Sequence, residues 1–583
     1  MTEDRKVPTS APADRPTFKL LVGGARISGE YQIQSVIVSR MVNRVASADL
    51  LILDGDPATE DFKVSNADDF VPGGEIEILA GYHGQEETIF KGIIVRHGLR
   101  VYQKKPSVLR VECRDAAVKL TVGRKSAYYY EATDSDVIEE MAGKAGLDKV
   151  VEATTVTHPQ MVQFYSTDWD FILTRAEANG KIVVTQDGML RVVSPDASQE
   201  PALALSYGGN LLDFEAVAES RDQFTAVNSF SWDAANQEML DIDGAASSAV
   251  SPGNLTHDDL ASVIGLEALH LKHAGQIPDS ELQAWADAQR QKSDFAKVRG
   301  RVRVQGFGTI KPGDVIELGG VGERFAGKAL VSGVRHEINT KNWETDMSFG
   351  LDPEWFGRSA ERIVEPKANG LLPGVTGLQI GLVTALEGDP DGEDRIQIRI
   401  PLIDPSEEGT WARIATLDAG ENRGTFFRPE IGDEVLLGFL NDDPRNPVVL
   451  GMLNSSAKPA SLQASDDNHE KGIFTRSQMK VLFNDDKKTI TIETPNGNVV
   501  HLSDEDGEIS VKDENSNSYV MNADGITIES AADINIKASG DVNIEGTNLS
   551  SAANAQFKAE GSAGAELSSG GTSVLKGAIV QIN

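Results

Sequence analysis

The chain has 583 residues, with 89 acidic against 55 basic residues and a formal net charge of −34. A body with this charge repels phosphate backbones, which argues against nucleic acid as a partner. The single cysteine, Cys113, excludes a disulfide within the chain, and the alternating stretch VLRVECRD around it predicts an inert strand residue in the core.

The first 16 residues are polar and rich in proline, without the apolar core of a signal peptide, and are expected to form a flexible tail. Strand-like alternation then runs through residues 17–115 and predicts a barrel-like β module. Two helices are predicted next. Thr133 or Asp134 caps the first, TDSDVIEEMAGKAG, and Ser166 caps the second, STDWDFILTRAEANG. The apolar face of the second helix consists of Trp169, Ile172, Leu173 and Ala176.

A helical stretch is predicted near residues 256–298, with His270 and His273 one turn apart on it. Two histidines at this spacing can share a metal ion, but no third ligand is apparent nearby, so solvated or capping histidines are favoured. Alternation returns in VRGRVRVQGFGTIKPGDVIELGG and FAGKALVSGVRHEIN, which predicts a second β module. Residues 17–366 are therefore expected to form two β barrels joined by helices.

Residues 367–374 are expected to form a linker. The short strands and Gly/Asp/Pro turns of residues 375–457 predict a small barrel of the OB type. Residues 470–583 are expected to form a strand meander, with turns at Asn496-Gly497, Asp506-Gly507 and Asp524-Gly525, that leads into a repeat of eight residues from 524 to 579.

Each early octad of this repeat carries two aliphatic residues separated by one polar residue, which places both on one face of a short strand. The needle-core residues predicted from this pattern are Ile526, Ile528, Ile534, Ile536, Val542 and Ile544. One octad buries too little apolar surface to offset the entropy lost on ordering it, so it must stack on neighbouring octads. This shortfall in free energy becomes smaller if several identical chains wind together. The alternative, a disordered Ala/Ser/Gly tail, is disfavoured by the regular return of the aliphatic pairs.

Three stretches together resemble the VgrG-type spike proteins of contractile injection systems and the phage tail hub. TDWDFILTRAEANG is similar to the helix signature of the hub, and RIQIRIP, WARIAT and FRPEIGDEVLLGFLNDDPRNPVVLGML, in this order, are similar to its OB domain. The octads are similar to the needle of those spikes. The resemblance implies a mainly β fold with some α: two hub barrels joined by helices, an OB-fold barrel, and a C-terminal intertwined trimeric β-helix needle.

The same resemblance implies a function. It implies a homotrimeric structural spike, not an enzyme, that matches a six-fold ring of an Hcp-like tube protein to a three-fold needle, sits among baseplate proteins and punctures a target membrane. Such a chain is made in the cytoplasm without a signal peptide and becomes part of an assembled particle. The short needle without extensions favours an extracellular phage-tail-like particle over a cell-anchored type VI apparatus.

Two other functions were weighed against the spike. A cell-wall-degrading tip enzyme requires an inserted catalytic domain, and the segment between the OB unit and the needle is too short for one. A receptor-binding β-helical fibre predicts a distal head beyond the octads.

The last turn, TSVLKGAIVQIN, is expected to dock a separate tip protein. At the end of the needle no further octad covers the apolar residues of this turn, which are Val574, Leu575, Ile579, Val580 and Ile582. An apolar triangle exposed by three chains is unfavourable at roughly 25 cal/mol per Å². A capping protein should therefore sit there, and the resemblance suggests a PAAR-type cone with its own metal.

No catalytic, cofactor-binding or metal site is predicted within the chain itself. GERFAGKA fits the G-x-x-x-x-G-K motif through Gly322, Gly327 and Lys328, but Ala329 stands where Ser or Thr holds magnesium. Its flanks also have the pattern of a hairpin. Neither G-x-S-x-G nor H-E-x-x-H occurs in the sequence.

Overall fold

The computed structural model of the protein describes residues 15–245 and 250–582. The flexible tail expected for residues 1–16 therefore lies almost wholly outside the described residues. The chain divides into two compact units. The first extends to Gly377 and includes Phe439–Asn446; the second comprises Leu378–Gly438 and the residues from Pro447 onward.

Strands dominate both units, which confirms the mainly β fold class. The strands of the first unit are β1 (Thr17–Val22), β2 (Ala25–Arg26), β3 (Ile33–Met41), β4 (Ser47–Leu53), β5 (Glu75–Tyr82), β6 (Gln85–Arg100), β7 (Val108–Arg114), β8 (Lys125–Thr133), β9 (Asp148–Val151), β10 (Thr157–Ser166), β11 (Ile182–Gln186), β12 (Met189–Val193), β13 (Leu203–Ser206), β14 (Asp213–Ala218), β15 (Val227–Asp233), β16 (Glu238–Asp243), β17 (Leu269–His273), β18 (Val298–Gln305), β19 (Val315–Gly319), β20 (Gly327–Asn339) and β21 (Trp343–Phe349). The later strands are β22 (Gln379–Ala385), β23 (Ile396–Arg399), β24 (Thr410–Ile414), β25 (Ala419–Gly420), β26 (Arg423–Gly424), β27 (Glu434–Phe439), β28 (Pro447–Met452), β29 (Glu470–Phe474), β30 (Lys480–Asn484), β31 (Thr489–Glu493), β32 (Val499–Ser503), β33 (Glu508–Lys512), β34 (Ser518–Asn522) and β35 (Gly525–Glu529).

Within residues 15–245 and 250–582, all helices lie in the first unit. They are α1 (Asp134–Lys144), α2 (Asp168–Ala178), α3 (His257–Ile264), α4 (Asp279–Ala296) and the single turn α5 (Phe356–Ser359). Short 3-10 turns occur at Asp68–Phe70, Ala116–Thr121, Lys367–Gly370 and Leu440–Asp442.

One sheet of 13 strands joins the two β modules expected for the first unit. Along it the strands follow the order β14-β18-β21-β20-β3-β4-β7-β6-β5-β1-β2, and β19 and then β13 branch off at β20. The antiparallel pairing of β20 with β3 connects the two halves. Each half keeps its own apolar core, around Leu50 and Phe90 in the first and around Val302 and Phe349 in the second. The two modules are thus halves of one continuous sheet.

Helices α1 and α2 form largely as the sequence predicts. Thr133 caps α1, its hydroxyl oxygen accepting a hydrogen bond from the backbone N–H of Asp136. The cap of α2 is Thr167, which accepts from Asp170, and not Ser166 as expected, because Ser166 is the last residue of β10. The predicted apolar face of α2 is buried in a separate core with α1.

The helix expected across residues 256–298 is interrupted by a strand, so this prediction was wrong in its middle part. Helix α3 ends at Gly265, whose φ of 70° lies in the left-handed region that glycine favours. His270 and His273 lie on β17, which pairs in parallel with β15. Three positions apart on a strand, their side chains point to opposite faces, so they are not placed to share a metal ion.

The stretch GERFAGKA connects β19 to β20, which pair antiparallel, so it is a hairpin as its flanks predict. The Nζ atom of Lys328 donates hydrogen bonds to the backbone carbonyls of Ser198 and Gln199, at 3.2 and 2.9 Å. The ammonium group of Lys328 therefore binds the protein's own backbone.

The side chain of Arg124 binds the segment of chain ahead of the expected linker, residues 367–374. The guanidinium of Arg124 donates to the backbone carbonyls of Arg362 and Ile363, at 2.7 and 2.8 Å, and forms an ion pair with Glu365 at 2.8 Å. Five donors in a planar fork allow arginine to bind several acceptors at once. The segment that precedes the linker is thus fixed by hydrogen bonds and an ion pair.

The second unit begins with a closed barrel of β22-β23-β24-β28-β27. Alternating aliphatic residues of these strands fill it: Val383, Ile396, Ile398, Ala412, Val435, Leu437 and Val449 are all buried. The five-stranded barrel confirms the OB-type module expected from the sequence.

Candidate functional site

A seven-stranded antiparallel meander, β29 to β35 in sequence order, follows the barrel. Each strand has five residues, and the connections between strands are short. Gly497, Gly507 and Gly525 adopt positive φ at the turns expected from the sequence, a conformation that glycine adopts at no steric cost. Local turn chemistry and strand alternation together therefore specify this sheet.

The second and fourth residues of these strands share one face of the sheet. Phe483 lies opposite Ile490, Ile490 opposite Leu502, and Leu502 opposite Ile509, so apolar residues follow one another from strand to strand. Lys471, at the edge, is the exception. We call this surface the apolar face; it comprises Ile473, Val481, Phe483, Ile490, Ile492, Val500, Leu502, Ile509, Val511, Tyr519, Met521, Ile526 and Ile528.

The apolar face is open to solvent in the single chain. Ile492 is 47% exposed and Ile526 is 64% exposed. Soluble monomers rarely expose a contiguous apolar surface of this extent, and such surfaces mark sites of protein association. The geometry therefore identifies the apolar face as an interaction surface.

The opposite face of the same sheet has a different character. The central residue of each strand points there, and Thr491, His501, Ser510 and Thr527 make it largely polar. The hydroxyl of Thr491 lies 2.9 Å from Nδ1 of His501, so this face satisfies its polar groups within the sheet. Association through the other, apolar face leaves these hydrogen bonds intact.

The structure places only the first pair of predicted needle-core residues on a strand. Ile526 and Ile528 lie on β35 and belong to the apolar face. The remaining members, Ile534, Ile536, Val542 and Ile544, are exposed and lie outside the strands in the single chain. Their role in a needle core stays a prediction.

The residues predicted to dock a tip protein are exposed as well. Val574, Leu575, Ile579, Val580 and Ile582 lie in a segment without strand structure, with between 46% and 88% of their surface exposed. Their assignment to a docking site likewise stays a prediction.

Sequence reasoning identified the octad pairs but missed the upstream members of the apolar face. The signal was present: pairs such as Ile490 and Ile492 recur after ten residues at Val500 and Leu502, then after nine at Ile509 and Val511. Because this spacing alternates between nine and ten, a search for one fixed period does not detect it.

A cluster of charged side chains around the buried Asp134 lies between α1, α2 and α4. Arg175 Nη2 donates to Asp134 Oδ2 and to Glu281 Oε1, both at 3.0 Å. Burial acts to raise the pKa of Asp134, but the hydrogen bond and charge of Arg175 outweigh it and hold that pKa below its ordinary value. The cluster therefore holds three helices together as a paired network.

No group of three or more His, Cys, Asp or Glu side chains in residues 15–245 and 250–582 is arranged to hold a metal ion. Within those same ranges, no helix combines the length and apolar character required to cross a membrane. Burial raises the pKa of Cys113 far above its ordinary value, in agreement with the inert core cysteine expected from the sequence.

Three family models match successive parts of the chain. The Alg8 N-terminal domain matches residues 12–340, more than half of the chain. The type VI secretion system/phage-baseplate injector OB domain matches residues 379–453, which include the closed barrel. The phage baseplate V C-terminal trimerisation domain matches residues 489–550, which include the strands β31 to β35 of the apolar face.

Curated relatives match shorter stretches. The type VI secretion system spike protein VgrG1b of Pseudomonas aeruginosa is 25% identical over 213 residues, which are 35% of this chain and 28% of that protein. VgrG5 of the same organism is 34% identical over 91 residues, 14% of this chain and 12% of that protein. The matched region thus spans less than a third of the length of each of these relatives.

Solved structures with partial similarity include the 43 kDa tail protein of prophage MuSo2 from Shewanella oneidensis. It is 14% identical, with a TM-score of 0.44, and the match covers 58% of this chain and 98% of that one. The E. coli c3393 protein, a component of the type VI secretion system, is also 14% identical, with a TM-score of 0.38 over 75% of this chain and all of that one. On the match over residues 12–340, the chain belongs to the family of the Alg8 N-terminal domain, and its later parts are similar to the injector OB domain and to the phage baseplate V C-terminal trimerisation domain.

Proposed function

We propose that three copies of this chain form the central spike of a contractile injection machine. The observation that carries the proposal is the apolar face, which one chain leaves open across all seven strands of the meander. The matched trimerisation domain lies on the same strands and supports a homotrimer. Three such faces turned toward a common axis cover one another and remove the apolar surface from water.

The octads extend the same arrangement toward the tip. Ile534, Ile536, Val542 and Ile544 find no partners within one chain, since each octad contributes only a pair of aliphatic side chains. Wound around two other chains, each pair meets two equivalent pairs, and the free edge of each short strand gains a partner. The product is a stiff needle suited to puncturing a target envelope.

The first unit is the natural docking site for a tube. Its sheet has two halves with separate cores, so a trimer presents six related modules to a ring. Six modules match a six-fold ring of an Hcp-like tube protein, while the needle keeps three-fold symmetry. Baseplate proteins then surround the junction of tube and spike.

A small PAAR-type protein caps the needle in this proposal. The apolar residues of the final turn, among them Ile579 and Ile582, are 83% and 88% exposed in the single chain. A protein with its own metal site that covers them also sharpens the point that meets the membrane. The chain then acts by stiffness and shape, without a catalytic step of its own, as part of an assembled particle.

The trimer is tested by light scattering on the purified full-length chain. We expect three times the mass of the 62.6 kDa chain, retained on dilution because the apolar face is buried only in the assembly. A folded monomer with the C-terminal sheet intact would contradict the proposal. A turnover assay on cell-wall polymer, expected to give no product, distinguishes the spike from a tip enzyme.

A further inference from the structure

A cavity of about 300 Å³ lies beside the charged cluster of α1, α2 and α4. Helix α2 lines it with Arg175 and Ala178, and α4 lines it with Glu281 and Trp285. Residues three and four positions apart share one face of a helix, so each helix turns one such pair toward the cavity. Trp355, which precedes α5, lines it as well. A volume at the lower end of the range for ligand sites suits a small molecule.

The wall of the cavity is rich in apolar surface. Trp285 and Trp355 line it together with the aliphatic Val156 and Ile277. The face of an aromatic ring carries negative potential, and tryptophan attracts cations more strongly than tyrosine or phenylalanine does. Trp355 already binds a cation of the chain, since Nζ of Lys292 lies 5.6 Å from its ring centroid. The wall therefore suits a ligand that has both carbon and positive charge.

The charged groups around the cavity leave a surplus of negative charge. The guanidinium of Arg175 binds two carboxylates, with Nε 2.5 Å from Asp134 and Nη2 3.0 Å from Glu281. With His158 and His273 neutral, these three groups sum to one negative charge. Because Asp134 is buried and Arg175 largely so, this charge is screened less than a charge at the surface.

Glu281 presents a carboxylate oxygen that a ligand can use. Asp134 accepts hydrogen bonds from Arg175 through both of its oxygens. Glu281 accepts from Arg175 through Oε1, whereas its Oε2 lies 3.8 Å from Nδ1 of His158, too far for a hydrogen bond. A group that reaches Oε2 also meets Trp285, one turn further along the same helix.

We propose that this cavity binds a small alkylammonium ion of about the size of choline. The ammonium group lies between Oε2 of Glu281 and the rings of Trp285 and Trp355, and its carbon substituents pack on Val156 and Ile277. The surplus negative charge disfavours an anion, and a hard metal ion requires more oxygen ligands than Glu281 supplies. All of these residues belong to one chain, so the site does not depend on the trimer proposed above.

The site is tested by saturation-transfer-difference NMR on the full-length protein with choline chloride as the probe. The titration is performed at about pH 8, above the ordinary pKa of histidine. Choline is expected to give a saturable signal, with the strongest transfer to the methyl protons next to its nitrogen, because these protons face the indoles. Absence of a saturable signal would overturn the proposal.

A neutral isostere of choline separates charge from shape without any change to the protein. In dimethylbutanol a quaternary carbon replaces the nitrogen of choline, so the size is kept and the charge is lost. It should bind about tenfold more weakly than choline, because neither the ion pair nor the cation–π contact forms. Equal affinities of the two compounds would overturn the assignment to a cation.

Variants of α4 locate the bound ion. Glu281→Gln keeps the shape of the side chain and removes its charge, and Trp285→Leu removes an aromatic face; each should weaken choline binding about tenfold. Asp279→Asn removes the same charge from an exposed position on the same helix and is the matched control, with unchanged affinity. Circular dichroism checks that each variant is folded, and the isostere still decides if one is not. Unchanged affinity in both folded variants would overturn the site.

Discussion

Among single residues of the first unit, His336 has a strongly altered acid–base chemistry. It is fully buried on β20, where its Nδ1 atom lies 3.0 Å from the hydroxyl of Thr345. Burial lowers its pKa to about 3, and the charge of Arg40 acts in the same direction. The folded protein therefore keeps this imidazole neutral where the unfolded chain protonates it.

This residue predicts acid sensitivity of the first unit. Between the ordinary histidine pKa of 6.5 and about 3, the unfolded state binds one proton more than the folded state, so stability falls as the pH decreases through this window. From pH 7 to pH 5 the loss is about 2 kcal/mol. His336→Gln should remove most of this pH dependence from the unfolding transition of the first unit, measured in denaturant at both pH values. The exposed His270→Gln is the control, and an unchanged slope in His336→Gln would contradict the assignment.

At the scale of elements, successive residues of each strand in the C-terminal sheet point to opposite faces, of which one is apolar and the other polar. Ile528 points to the apolar face, whereas its neighbour Thr527 points to the polar one. This alternation provides matched variants, because the same new side chain can be placed on either face of the same strand.

Ile528→Asp should weaken the trimer strongly, and Thr527→Asp should not. Burial of one isoleucine side chain contributes about 1.5–3 kcal/mol, the variant loses this contribution in each of the three chains, and three carboxylates brought together add repulsion. Analytical ultracentrifugation over a dilution series measures the difference. If Thr527→Asp proves the more disruptive change, the polar face is the one that faces the other chains.

Elements specified by local chemistry were predictable from the sequence, and those decided by distant contacts were not. The cap of α1 at Thr133 and the strand of Ile526 and Ile528 follow from neighbouring residues alone. The strand β17 replaces a helix because its alternating residues pair with β15, some forty positions earlier in the sequence. The join of β20 to β3 also depends on long-range pairing, as does the set of strands that completes the apolar face.

For the whole molecule, joining the chains and meeting a tip protein are separate tasks in the proposed spike. In the trimer proposed above, the apolar face holds the three chains together, while the last residues of the chain meet the tip protein. Ile579 and Ile582 are exposed and make no contribution to the described cores.

The variant Ile579→Asp with Ile582→Asp should therefore remain trimeric but lose a PAAR-type cap. The cap requires apolar surface, and two carboxylates per chain make that surface costly to desolvate. Co-purification of the tagged cap with the spike measures the effect, and Gln581→Asp, the polar position between them, is the control. Recovery of the cap at the wild-type level with the double variant would refute the docking site.

The meander also limits how its length can change. In an antiparallel series the chain returns to the same end only after two strands, and from Val500 to Tyr519 the sequence advances 19 residues through two strands of the apolar face. Excision of residues 500–518 joins Val499 to Tyr519 and keeps every later pair on its face. Removal of a single strand instead reverses the direction of every later strand, so the chain leaves the sheet at the opposite end. The meander can therefore be shortened only by whole hairpins, that is, by even numbers of strands, whether in evolution or by design.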